Sequence, residues 1–121
     1  MKPKELFIGA LVLHEDQLCM VEHIEKAGLI YCQICGTEKY RRVEADSLKP
    51  VPLTLEVLEK FGFKNCQYWH ELISGDAIIQ AQIPHIRIRN GEKKYESDSV
   101  SSIHELQAAL RLCGIEMEVE V

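Results

Sequence analysis

The twelve residues from His85 to Glu96, "HIRIRNGEKKYE", decide the fold. Apolar and polar residues alternate before Asn90-Gly91, and a period of two marks a half-buried strand. Asn-Gly is the preferred pair for a two-residue type I′ turn, whose two central residues both need positive φ. The stretch therefore predicts an antiparallel hairpin. With Asn90 and Gly91 at the tip, Arg89 opposes Glu92, Ile88 opposes Lys93, Arg87 opposes Lys94 and Ile86 opposes Tyr95. Ile86, Ile88 and Tyr95 then face a core. His85, Arg87, Arg89, Glu92, Lys94 and Glu96 face water.

The flanking sequence extends this sheet. Residues 66–72, "CQYWHEL", and 76–83, "DAIIQAQI", read as two more strands around the turn Ser74-Gly75. After the hairpin comes "SSIHELQAALRLCGIEMEVEV". Ser102 and Glu105 form a capping box. Ile103, Leu106, Leu110 and Cys113 recur on one helical face, and Gly114 ends the helix. That spacing predicts Leu106 and Leu110 in the core and His104 and Arg111 outside it. Residues 115–121 alternate as a terminal strand, with Glu116, Glu118 and Glu120 shielding an edge from other chains.

Upstream lies "SLKPVPLTLEVLEKFGF". Pro50 and Pro52 hold the chain extended. Thr54 is a good N-cap, Leu53 and Leu58 form a hydrophobic staple, and Gly62 supplies the C′ position with Phe63 folding back. A short helix over 55–61 follows, with Leu55, Leu58 and Phe61 on its buried face. Before it, residues 10–14, 17–24, 29–35 and 39–43 read as short strands. The turns between them fall at Glu15-Asp16, Lys26-Ala27-Gly28 and Gly36-Thr37. Such a meander curls into a small SH3-like barrel or half-barrel.

The fold class is therefore α+β and mainly antiparallel. Residues 1–50 form a barrel-like β meander. Residues 51–121 form a helix, an antiparallel sheet and the C-terminal helix packed on that sheet. The Pro-flanked helix is the hinge between them, and one compact domain overall also fits the 121 residues.

Bulk composition narrows function. At 46% hydrophobic and 27% charged, the chain can bury a small core. A net charge of −5 argues against a general nucleic-acid or acidic-membrane binder, which needs accumulated Lys and Arg. The odd cysteine count of five lacks the dense spacing of a secreted disulfide framework and fits reduced thiols in the cytoplasm. The apolar run Leu6 to Leu13 imitates a signal peptide. Glu5 and His14-Glu15-Asp16 flank it wrongly, however, and it is too short to span a bilayer, so a buried strand is expected.

The segments "LKPVPLTLEVLEKFGF" and "SSIHELQAALRLCGIEMEV", with "ELFIGALV" near the start, resemble a large group of short uncharacterised proteins. These occur in gut anaerobic bacteria, often among phage and mobile-element genes. The shared features are the "KP-PL" proline pair, the "KFGF" helix end and the "HELQ" helix, in this order along nearly the whole chain. The resemblance implies no activity and assigns no catalytic or binding residue. The paired cysteines stand outside its pattern.

Four constellations bear on chemistry. Cys32 and Cys35 form C-x-x-C before Gly36, and Cys19 with His23 lies upstream. Together they would make a Cys3His zinc set. Strand alternation puts Cys32 with Ile30 and Ile34 and sends Cys35 to the other face, which favours packed thiols. A redox pair would need a helix N-terminus after the motif, and Gly36-Thr37 supplies a turn instead. Lys39, Arg41 and Arg42 with Tyr40, and Arg87, Arg89, Lys93 and Lys94 with Tyr95, suggest a nucleic-acid surface. Interleaved Glu92 and Glu96 reduce its charge. His104-Glu105 with Gln107 reads as a cap plus a surface histidine. Tyr68-Trp69-His70 reads as a half-buried strand in which Trp69 is a candidate interface anchor.

No phosphate-binding glycine loop, H-E-x-x-H, G-x-S-x-G or acidic metal cluster occurs. The sequence thus predicts a non-enzymatic accessory or interaction protein with a protein partner, no cofactor and no membrane. It assigns no catalytic, binding or metal residue. A small-barrel nucleic-acid module is the alternative reading, and a zinc-stabilised protein the next.

Overall fold

The computed structural model describes residues 1–116 of the 121. The fold is α+β, with two five-stranded antiparallel sheets and one main helix. The chain divides into two compact units, Met1–Val51 and Pro52 onward. No helix among the described residues is long and apolar enough to cross a membrane.

The first unit comprises β1 (Leu11–His14), β2 (Gln17–Ile24), β3 (Leu29–Ile34), β4 (Tyr40–Glu44) and β5 (Lys49–Pro50). They hydrogen-bond in the order β4-β3-β2-β1-β5, with β4 and β5 at the edges. Of the apolar run Leu6–Leu13, only the part from Leu11 onward is strand. Glu15 and Asp16 close β1 onto β2 with φ of 50° and 62°. Two left-handed central residues are the type I′ pattern, here built without glycine. Ala10, Val12, Cys19, Val21, Ile30 and Cys32 form the buried face of this unit.

The second unit runs α1 (Leu55–Lys60), β6 (Lys64–Asn65), β7 (His70–Ser74), β8 (Ala77–Gln82), β9 (His85–Asn90), β10 (Lys93–Ser97) and α2 (Ile103–Leu112). Its sheet is a meander in strand order. Thr54 caps α1 by accepting from the Val57 N–H at 3.2 Å. Both helices stop in the same way. Phe63 N–H donates to Leu58 O at 3.0 Å and Ile115 N–H to Leu110 O at 2.9 Å, each across a glycine with positive φ. That is the Schellman closure. At Gly114 (φ 71°) a Cβ would also approach the Lys93 Nζ to 3.1 Å.

Five expectations need correction. First, the hairpin register is Asn90 opposite Lys93, Arg89 opposite Lys94, Ile88 opposite Tyr95 and Arg87 opposite Glu96. The tip is Gly91-Glu92, not Asn90-Gly91. Only Gly91 has positive φ (62°), as the first central residue of a type II′ turn requires. Asn90 stays in β9 because its Nδ2 donates to Cys113 O at 2.8 Å. Moving the tip by one residue preserves parity, so Ile86 and Ile88 remain buried and Arg87 and Arg89 exposed.

Second, Leu55 is 54% exposed. In α1 only Leu58 is fully buried, because six residues are too few to lay two turns of apolar side chains on the sheet. Third, residues 66–69 are a loop, and β7 starts only at His70. Fourth, His104 is buried at 8% exposure, its Nδ1 3.0 Å from Ser102 Oγ. The capping hydroxyl gives the imidazole a polar partner, which lets it turn inward. Fifth, Ile115 is buried in the helix cap rather than in a strand, and residues 117–121 of the expected terminal strand lie outside the described residues.

Ile103, Leu106, Ala109 and Leu110 form the buried stripe of α2, and Ala77, Ile79, Ala81, Ile86 and Ile88 the buried face of the sheet. Leu110→Ala should therefore cost about 2–5 kcal/mol, the usual range for a buried leucine. His104→Ala should cost less than that, with the Ser102 Oγ contact contributing about 1 kcal/mol. Urea denaturation of both variants checks the order.

Candidate functional site

Cys19 and Cys32 lie on the buried face of the first unit's sheet. Cys19 pairs with Ile34 in register and Cys32 with Val21, and both thiols are buried. Cys35 follows the end of β3, its N–H donating to Leu18 O at 2.9 Å, and is half-buried. His23 does not join them. In a regular strand His23 would share the face of Cys19. A bulge between Val21 and His23 reverses the alternation, and His23 pairs with the exposed Tyr31. The Cys3His set is therefore not assembled. Among the described residues no group of three or more His, Cys, Asp or Glu is arranged to hold a metal ion. Burial pushes the Cys32 thiol up to about 11, with Cys19 beside it adding to the rise. Burial and Cys19 also raise Cys35, while burial raises Cys19 against a smaller lowering by Arg41. Raised thiols are poor nucleophiles and poor metal ligands.

The basic groups are split by strand register. In the first unit, Arg41 Nη1 donates to His14 Nδ1 at 3.1 Å and lies 3.7 Å from Glu15, and Arg42 pairs with Glu25. Tyr31 and Tyr40 stack on each other, centroids 5.2 Å apart and rings 8° from parallel. In the second unit, Arg87 Nη2 donates to Glu96 Oε1 at 3.1 Å, and His85 contacts both Glu96 and Asp98. Lys93 and Tyr95 lie on the face opposite to Arg87, Arg89 and Lys94.

A groove of about 460 Å³ lies within the second unit. The N-terminal side of α1 (Leu53, Thr54, Leu55) forms one wall. The loop after β6 (Gln67, Tyr68, Trp69) forms the other, and His70, Ala81, Gln82 and Ile83 complete it. The loop is held in place. Gln67 takes the left-handed φ of 78°, its N–H donates to Asn65 Oδ1 at 2.9 Å, and Cys66 N–H donates to Trp69 O at 2.8 Å. An asparagine-braced turn thus presents Tyr68, 69% exposed, and Trp69 at the rim. His70 is only 6% exposed, and its Nε2 has no hydrogen-bond partner among the described residues. The nearest acid is Glu59, 3.5 Å away at Oε1. Glu59 thus stands within ion-pair reach of a buried nitrogen that makes no hydrogen bond.

The lining has no carboxylate, thiol or amine. It offers aromatic and aliphatic surface, amide side chains and one imidazole, which suit binding better than bond-breaking. Compared with protein-family models, curated proteins and solved structures, the chain matches none. The spacing of the sequence missed this groove because Cys66–Trp69 read as strand. The signal available was Asn65, a residue that braces turns.

The thiols give a prediction with a definite sign. Between the ordinary thiol value of 9.0 and about 11, folded Cys32 keeps a proton that the unfolded chain has released. That stability is fully present below 9.0 and is lost as pH rises through about 11. Urea midpoints should therefore fall across this window. At neutral pH a disulfide-exchange reagent should label exposed Cys66 well before Cys19, Cys32 or Cys35.

Proposed function

We propose that the chain is a non-enzymatic protein-interaction module and that its second unit docks a protein partner in the groove beside Trp69. The observation that carries this reading is the braced loop that holds Tyr68 and Trp69 out of the core at the rim of an apolar groove. Burying an aromatic ring in a partner's pocket is the usual way a small interface gains most of its affinity. Five free thiols fit a reducing compartment, which supports a cytoplasmic location.

The nucleic-acid alternative has less support. The two exposed tyrosines of the first unit stack on each other rather than standing open to bases, and Arg41 and Arg42 are engaged by Glu15 and Glu25. We read the first unit, by its strand order, as an SH3-like scaffold.

Affinity capture from the native host should recover a protein partner that is lost with Trp69→Ala or Tyr68→Ala. The Tyr68→Ala variant should stay within about 1 kcal/mol of the parent's stability, since a mostly exposed side chain contributes little. Retention of the partner by both variants would sink the groove reading. Salt-sensitive oligonucleotide binding that falls with Arg41→Ala and Arg42→Ala would instead favour the nucleic-acid module.

A further inference from the structure

The solvent face of the second unit's sheet contains a row that breaks the usual logic of strand pairing. Register places Ile73 opposite Ile78, Ile78 opposite Arg89, and Arg89 opposite Lys94. Across four adjacent strands the row reads isoleucine, isoleucine, arginine, lysine. At about 4.8 Å per strand it spans roughly 14 Å. Ile73 is 64% and Ile78 39% exposed. Like charges directly opposite one another destabilise a sheet. The next row of the same face shows no such conflict: Gln80 Nε2 donates to Glu71 Oε1 at 3.2 Å, and Arg87 pairs with Glu96. Arg89 and Lys94 make no ion pair or side-chain hydrogen bond among the described residues, and Glu92 in the adjoining turn bonds neither. A cleft of about 300 Å³ lies against them, lined by Arg87, Ile88, Arg89, Lys94, Tyr95 and Glu96.

We propose that this row is a second docking surface, for an acidic, aliphatic-bearing segment of a partner protein. Carboxylates of that segment engage Arg89 and Lys94, and its aliphatic side chains cover Ile73 and Ile78. Charge complementarity selects the acid. An arginine with no partner offers a two-pronged carboxylate contact, and a carboxylate between the two cations removes their repulsion. The exposed isoleucines select the apolar part. Helical neighbours three or four residues apart are about 5–6 Å from one another, close to the strand spacing, so a helix laid across the strands matches the row. A nucleic acid fits less well, because the row itself carries no aromatic ring on which a base could stack. The surface is distinct from the groove. The row adjoins the β7–β8 and β9–β10 turns, and the groove adjoins the turns at the other end of the sheet.

A displayed library of random linear peptides, panned on the full chain, tests this. The expected result is enrichment of sequences with Asp or Glu near Leu or Ile. Their affinity should fall at least about tenfold in the Arg89→Ala, Lys94→Ala double variant, the scale of losing charge-assisted contacts. It should also fall with Ile78→Ser, weaken as salt rises, and be unchanged by Trp69→Ala. Lys94→Glu should abolish peptide binding while raising the melting midpoint, because it turns a like-charged pair into an ion pair. The proposal is overturned if no acidic sequences enrich, or if the double variant still binds them. It also fails if Trp69→Ala removes their binding, if a single-stranded oligonucleotide displaces them, or if Lys94→Glu lowers the midpoint. Loss with Trp69→Ala would at the same time support the groove, so the two readings fail separately.

Discussion

An antiparallel sheet with one apolar face has to be covered, and in the second unit α2 supplies the cover. Ile79, Ile86 and Ile88 on the sheet and Leu106 and Leu110 on the helix are all almost fully buried. A layer of sheet and a layer of helix around one core is the smallest arrangement that satisfies both. The rest of the unit depends on this arrangement. The end of the helix is tied to the β9 tip by the Asn90 to Cys113 bond, which holds Asn90 in the strand and moves the turn to Gly91-Glu92. That turn fixes which residues of β9 and β10 face each other. Because one helix covers one face, the opposite face stays open, and its pattern of charges is free to serve something other than stability.

Much of this could be read from the sequence, and the misses have local causes. Alternation in "HIRIRNGEKKYE" identified both faces of the hairpin, and those assignments survived a change of tip because a shift of the turn by one residue keeps parity. The turn type itself was misread. Asn-Gly is the best I′ pair in isolation, but a tertiary hydrogen bond to the Asn90 side chain outweighed that preference. The actual I′ turn stands at Glu15-Asp16, where the sequence shows only a turn. Helix limits were legible because caps are side-chain chemistry: Thr54, Ser102, Gly62 and Gly114 each stand where their type predicts. His104 was placed outside because histidine next to a cap is usually exposed, and the hydroxyl three ångströms away that lets it turn inward is visible only in three dimensions.

The candidate sites were harder to see, for a different reason. Zinc-like spacing drew attention to Cys19, His23, Cys32 and Cys35, yet a single bulge residue separates the histidine from the thiols. A bulge has no strong sequence signature, so any ligand set that spans one is misjudged by spacing alone. The groove suffered the opposite error. Four residues that alternate plausibly as strand are a loop, because Asn65 and the left-handed Gln67 turn the chain before β7 begins.

Two features of the second unit run against folding's own interest: a buried imidazole nitrogen that makes no hydrogen bond and has only Glu59 at 3.5 Å, and two cations facing each other across β9 and β10. Each is a local cost that a single substitution would remove. Glutamate at position 94 would pair with Arg89, and an apolar residue at position 70 would leave no donor or acceptor stranded. Neighbouring residues show that the fold has access to such solutions, since Arg87 already has Glu96 opposite and Gln80 has Glu71. Local conflicts in an otherwise consistent sequence concentrate where function makes a competing demand. Here the two conflicts lie toward opposite ends of one sheet, each beside exposed large side chains: Tyr68 and Trp69 at one end, Ile73 and Ile78 at the other. A polar group lacking its complement next to apolar surface lacking its cover is the composition of an interface seen without its partner. The same sheet, covered on its other face by α2, offers that composition twice.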